Sequence, residues 1–120
     1  MKIAIIGFGN IGKHLAEWVI NEPSFELRYV VDTKYIDKEN VNFKNQPIIF
    51  RKEITPELIK SVDIIIECAT KKVVSQLLKF DEIDRIGMKL ILISTGGLYQ
   101  NKEILKKLKN CEIIIPVGAI

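Results

Sequence analysis

Short apolar runs alternate along the whole chain with segments whose apolar residues recur at helical spacing, and this alternation constrains the fold more than any single residue does. Lys2 to Ile6 is the first run, and Leu15, Ala16, Val19 and Ile20 form the first helical stripe, which Asn21, Glu22 and Pro23 bring to a stop. Leu27 to Val31 reads as a second strand and Pro47 to Phe50 as a short third one. Val62 to Cys68 is almost continuously apolar, as a parallel strand covered on both faces must be. Lys89 to Ile93 and Glu112 to Ile115 complete the set. Between these runs, Thr55 followed by Pro56 marks a helix start, Thr70 caps a helix carrying Val73, Val74, Leu77 and Leu78, and Lys102 to Lys109 reads as the last helix. The polar stretch from Thr33 to Asn45 is expected to be loop, with at most a turn of helix.

Parallel neighbours require crossover connections, and right-handed crossovers place helices on both sides of the sheet. The expected fold class is therefore α/β: a Rossmann-type doubly wound parallel sheet of about six strands in the order 3-2-1-4-5-6. The length of 120 residues fits one domain, residues 1–120. The ending at Gly118, Ala119 and Ile120 looks cut, so a further C-terminal domain is expected to be absent.

Composition narrows the function classes. Eighteen basic against fifteen acidic residues give a net charge of +3, spread along the chain, which is too mild to argue for nucleic acid. The densest basic run, Lys102 to Lys109, is broken by Ile104, Leu105 and Leu108 and reads as a solvated helix face, with a binding patch as the alternative. Cys68 and Cys111 make neither a CxxC redox motif nor a zinc spacing, which fits reducing cytosol. No apolar run approaches the roughly 20 residues needed to span a bilayer, and the N-terminus has no leader pattern. A cytoplasmic protein with no nucleic-acid or membrane partner is expected.

The motif that carries chemistry is Gly7, Phe8, Gly9, Asn10, Ile11 and Gly12, the pattern GxGxxG between a strand and a helix. Gly7 permits the tight bend, Gly9 lets backbone approach a pyrophosphate, and Gly12 brings helix and strand together. The helix start then directs free N–H groups and a partial positive charge at the phosphates. Asp32 lies twenty positions beyond Gly12 at the end of the next strand, where a carboxylate can accept hydrogen bonds from adenosine ribose hydroxyls. The implied cofactor is NAD or NADP: Asp32 favours the former, and Lys34 beside it could still accept the 2′-phosphate of the latter. A merely structural glycine turn is the alternative.

Cys68, Ala69 and Thr70 close one central strand, and Ser94, Thr95 and Gly96 close the next, both at the edge where open sheets bind ligands. Such small residues suit the passage of a flat nicotinamide ring, and ordinary loop chemistry with Thr70 as a cap is the alternative. Glu67 is read as a paired or strand-end carboxylate, with a functional role as the alternative, Cys68 as a small buried residue, with a reactive thiol as the alternative, His14 as a surface or helix-packing histidine and Trp18 as a packing residue.

With these motifs in place, the chain resembles the N-terminal half of the L-aspartate dehydrogenases, themselves related to homoserine dehydrogenases. The matching pieces are IIGFGNIGKHL, IIIECAT, ILISTGG and the terminal PVGAI. The resemblance implies NAD(P)-dependent oxidative deamination of L-aspartate to iminoaspartate, which hydrolyses to oxaloacetate. It places cofactor contacts on Asn10, Ile11, Asp32, Cys68, Ala69 and, near the nicotinamide, Ala119. The family's catalytic histidine belongs to a C-terminal half that follows the GAI segment, and His14 does not correspond to it. The chain is thus expected to bind cofactor without turning over aspartate unless a missing domain or partner chain completes it, and a homodimer stays open. Two other readings stay open: a stand-alone nucleotide-sensing regulatory domain of the potassium-transport type, and the coenzyme domain of another dehydrogenase.

Overall fold

A computed structural model describes residues 1–94 and 101–116 of the chain. Its elements run β1 (Lys2–Ile6), α1 (Asn10–Ile20), β2 (Glu26–Val31), β3 (Lys38–Phe43), β4 (Gln46–Arg51), α2 (Pro56–Lys60), β5 (Ile64–Glu67), α3 (Lys71–Leu78), a 3₁₀ turn (Asp81–Ile83), β6 (Lys89–Leu92), α4 (Lys102–Lys107) and β7 (Glu112–Ile114). The strands form one sheet in the order β3-β4-β2-β1-β5-β6-β7. All pairings are parallel except β3 with β4, so the six parallel strands have the Rossmann order expected from sequence.

Alternation along β1 divides the core in two. Ile3 and Ile5 face α1 and pack with Ala16, Val19, Leu27, Val30 and Ile48. Ala4 and Ile6 point to the other side, where α2 supplies Leu58 and Ile59 and α3 supplies Val74, Leu77 and Leu78. Residues of α4, Ile104 and Leu105, extend that second layer. The caps follow the sequence: the hydroxyls of Thr55 and Thr70 accept the N–H groups of Leu58 and Val73, each at 3.2 Å. At the far end of the sheet, Asp84 accepts the N–H groups of Lys109, Asn110 and Cys111 and ties the turn before β7 to the 3₁₀ segment.

Two expectations are corrected. The stretch read as loop contains β3, which brings the sheet to seven strands rather than six and gives it an antiparallel edge. A two-residue turn joins β3 to β4, with Lys44 at φ 51° and Asn45 at φ 67°, the primed geometry that matches strand twist. Only Val41 and Phe43 of β3 reach the core, because an edge strand buries little. Trp18, read as a packing residue, is 58% exposed, with its ring tilted against Phe25. The buried stripe of α1 runs through Gly12, Ala16 and Val19, and at about 100° per residue position 18 is turned outward.

Candidate functional site

The glycine turn sits at the carboxyl end of the central strand, where the chain order reverses between β2 on one side and β5 on the other. Ile6 pairs with Val31 in β2 and with Glu67 in β5, so Gly7 lies between Asp32 and Cys68. Gly7 donates its N–H to the Val31 carbonyl at 2.7 Å, and Cys68 donates its N–H to the Ile6 carbonyl at 2.8 Å. Gly7 has φ 98°, and a Cβ there would meet the main chain of Ala69 at 2.9 Å, so conformation and space both demand glycine. At Gly12 a Cβ would fall 2.1 Å from the Gly7 carbonyl oxygen. Gly9 differs: its backbone is extended, at φ −78° and ψ −156°, and no atom of the described residues lies within 4 Å of the position of an added Cβ.

Gly9 is also the N-cap of α1 and supplies no side-chain cap, in contrast to Thr55 and Thr70 on α2 and α3. No acidic residue stands in the first turn of α1. The N–H groups of that turn therefore lack side-chain acceptors of the capping kind, with the positive end of an 11-residue helix behind them. A helix start of this kind is suited to an anion.

Asp32 is half-buried, and its carboxylate is already engaged: Oδ2 accepts the Phe8 N–H at 2.8 Å and Oδ1 accepts the Lys34 N–H at 2.9 Å. Each oxygen has a second lone pair for a ligand hydroxyl. Asp32 thus fastens the glycine turn to the end of β2 as well as lining the cleft. Phe8 anchors the turn from below, with its ring edge-on to Phe43, Phe50 and Tyr35 at 5.6 to 6.0 Å. The unexpected hairpin β3–β4 supplies two of those three rings.

A cleft of about 870 Å³ opens beside the turn, within the size range of small-molecule and cofactor sites. Of the site residues expected from sequence, Gly7, Gly9, Asp32, Cys68, Ala69 and Thr70 line it. Asn10, Ile11 and Gly12 lie in the first turn of α1 just behind it, Ser94 lies past the end of β6 beside Glu67, and Thr95, Gly96, Gly97 and Ala119 fall outside the described residues. The remaining wall was not singled out from sequence: Lys52, Glu53 and Ile54 after β4, and Lys72, Val73, Gln76, Lys79 and Phe80 from α3 and its end. Four lysines, Lys34, Lys52, Lys72 and Lys79, face two carboxylates in this lining, so the cleft favours an anionic ligand. Ile54, Val73 and Phe80 give it an apolar side. The sequence signals for this wall were two helix starts: Thr55–Pro56, which implied a loop end next to the sheet, and Thr70, whose helix carries Val73.

Cys68 is not built as a nucleophile. Its Sγ donates to the carbonyls of Gly7 and Ile6 at 3.2 and 3.4 Å. Burial, with the charges of Glu67 and Asp32 adding to it, pushes its pKa up to about 12. The unfolded thiol ionises near its ordinary value, about 8.5, while the folded one keeps its proton. The folded state then binds more protons, and stability should fall as pH rises from about 8.5 towards 12. Urea titrations at pH 7, 9 and 10 are expected to show this decline, shallower in Cys68→Ala; parallel declines in both proteins would contradict the assignment. His14 is exposed on α1, as read, and among the described residues no His, Cys, Asp and Glu cluster could hold a metal ion. No helix of the described residues is long and apolar enough to cross a membrane.

Comparison with known proteins agrees with this geometry. Residues 1–117 match the family model described as dihydrodipicolinate reductase, N-terminus. The L-aspartate dehydrogenase of Archaeoglobus fulgidus is 27% identical over 109 residues, taking in 91% of this chain and 40% of that protein. The L-aspartate dehydrogenase of Methanosarcina barkeri is 27% identical over 130 residues, taking in 100% of this chain and 46% of that protein. The crystal structure of aspartate dehydrogenase from Thermotoga maritima superposes with a TM-score of 0.73 at 26% identity, over 100% of this chain and 47% of that chain. The chain therefore spans less than half the length of these relatives. The resemblance to L-aspartate dehydrogenases is the one its motifs carried; the reductase family is one they did not name.

Proposed function

The chain belongs to the dihydrodipicolinate reductase N-terminus family, and from that premise we propose that its cleft binds a nicotinamide dinucleotide, NAD or NADP, as the coenzyme part of an L-aspartate dehydrogenase. The observation that carries the binding is Gly9: the one glycine of the turn with open space above it, standing at an uncapped helix start. The main-chain N–H groups of Asn10, Ile11 and Gly12 would hold the pyrophosphate there. Asp32 would accept the adenosine ribose hydroxyls through its remaining lone pairs, and Ile54, Val73 and Phe80 offer apolar surface for the adenine. Cys68, Ala69, Thr70 and Ser94 would border the nicotinamide half.

When bound, the nicotinamide would supply the acceptor for the hydride of the aspartate Cα; with loss of an amine proton the product is iminoaspartate, which water hydrolyses to oxaloacetate and ammonia. The chain's own residues position the dinucleotide and surround it with main chain and small side chains. None of the described residues is placed as the acid or base of that reaction, and His14 is exposed on α1 and does not line the cleft. The chain by itself is expected to bind without oxidising aspartate, its relatives being more than twice as long. The family model is described by a reductase of another substrate, which supports a second reading as the coenzyme domain of such a reductase. Aspartate is preferred because both curated relatives and the Thermotoga structure match over nearly the whole chain.

Calorimetric titration with NADH and NADPH tests the binding. In Asp32→Asn, which removes the charge and leaves one acceptor oxygen for the Phe8 and Lys34 N–H groups, NADH affinity should fall about tenfold, and NADPH affinity should fall less because repulsion of the 2′-phosphate is relieved. Equal losses for both cofactors would remove Asp32 from the ribose, and no binding by the folded wild-type chain would sink the cofactor reading.

A further inference from the structure

Glu67 is fully buried at the carboxyl end of β5, with 0% of its surface exposed, and the cleft does not use it. A carboxylate in that position must have each oxygen satisfied or be strongly disfavoured. Its partners are two main-chain N–H groups: Ala69 donates to Oε2 at 2.8 Å, and Ser94 donates to Oε1 at 2.9 Å. Among the described residues it forms no ion pair, so these charge-assisted bonds are its compensation. The two donors belong to different loops, one leaving β5 and the other leaving β6. The main chain of Ala69 also lies close to Gly7: a Cβ added there would stand 2.9 Å from it.

One side chain therefore sets the spacing of three loops at the carboxyl edge: the glycine turn, the β5–α3 loop and the end of β6. Asp32, on the β2 side of β1, marks the adenosine end of the cleft; β5 and β6 lie on the other side. A dinucleotide crossing the glycine turn from Asp32 must carry its other half over the strand ends that Glu67 holds. We infer that Glu67 is a positioning residue for the nicotinamide half of the cofactor, acting through the Ala69 and Ser94 main chain and not by contact. The inference rests on the dinucleotide reading of the site.

Glu67→Gln tests it. The amide keeps the volume but offers one acceptor oxygen for two N–H donors, so one loop loses its tether. NADH affinity should fall about tenfold, while ADP-ribose, which lacks the nicotinamide, should bind within about twofold of wild type. Equal weakening of both ligands, or of neither, overturns the proposal, since general loosening of the domain would act on both halves alike. Amide hydrogen exchange on the wild-type chain does not depend on the variant folding. The Ala69 and Ser94 amides should exchange as slowly as strand amides such as Ile66, and fast exchange at both would show that the clamp is not formed. A wild-type chain that binds neither ligand while both amides are protected would refute the cofactor reading and leave the clamp standing as structure alone.

Discussion

Gly12→Ala should cost the chain at least about 3 kcal/mol of stability, a large share of the roughly 5–15 kcal/mol available to a domain. The added Cβ would lie 2.1 Å from the Gly7 carbonyl oxygen, 3.0 Å from the Gly7 carbonyl carbon and 3.3 Å from Cys68 Sγ. None of these is the free end of a flexible side chain. The Gly7 main chain is held from one side by its bond to Val31, and its carbonyl accepts the Cys68 thiol from the other. Relief therefore requires α1 to lift from the sheet, and α1 carries Ala16 and Val19, both fully buried. In thermal unfolding followed by circular dichroism, the midpoint should drop by roughly 10 °C or more. A shift of about 2 °C or less would mean that the helix does not approach the turn this closely.

Gly9→Val should do the reverse. Its backbone lies where any residue is allowed and the space around an added Cβ is open, so the stability change should stay within about 1 kcal/mol. The side chain would instead stand in front of the α1 N–H groups. NADH and NADPH affinities are both expected to fall by about a hundredfold or more, equivalent to roughly 2.7 kcal/mol of binding free energy. Wild-type affinity in this variant would show that the pyrophosphate does not cross the turn. Together the two variants separate roles that the motif presents as equal: one glycine is demanded by the fold, the other by nothing among the described residues.

Much of this architecture was legible because its causes are local. The apolar runs at Lys2, Leu27, Val62 and Lys89 have no place to go except a buried sheet, and Thr55 and Thr70 announce helices three residues from the N–H groups they cap. Strand β3 was missed because its signal is short and polar: Val41 and Phe43 are its only core residues, and Lys44–Asn45 is a weaker turn cue than Asn–Gly. The consequence reaches the site, since Phe43 and Phe50 of that hairpin hold Phe8 in the glycine turn.

The sequence by itself determined the layer plan, the parallel strand order and the location of the glycine turn at the first strand–helix junction, because each follows from periodicity, capping and glycine conformation over a few neighbouring residues. Only the tertiary structure decided that Asp32 serves the Phe8 N–H as well as the cleft, that Lys52 to Ile54 face Val73 to Phe80, and that Glu67 joins Ala69 to Ser94. Ser94 is 27 residues from Glu67 in the chain, and only crossover connections that lay β5 and β6 side by side bring its N–H within reach. A buried carboxylate looks the same in sequence whether it is paired, exposed or clamping two loops. Its partners are chosen by packing, and packing is the part of the free energy that no local pattern encodes.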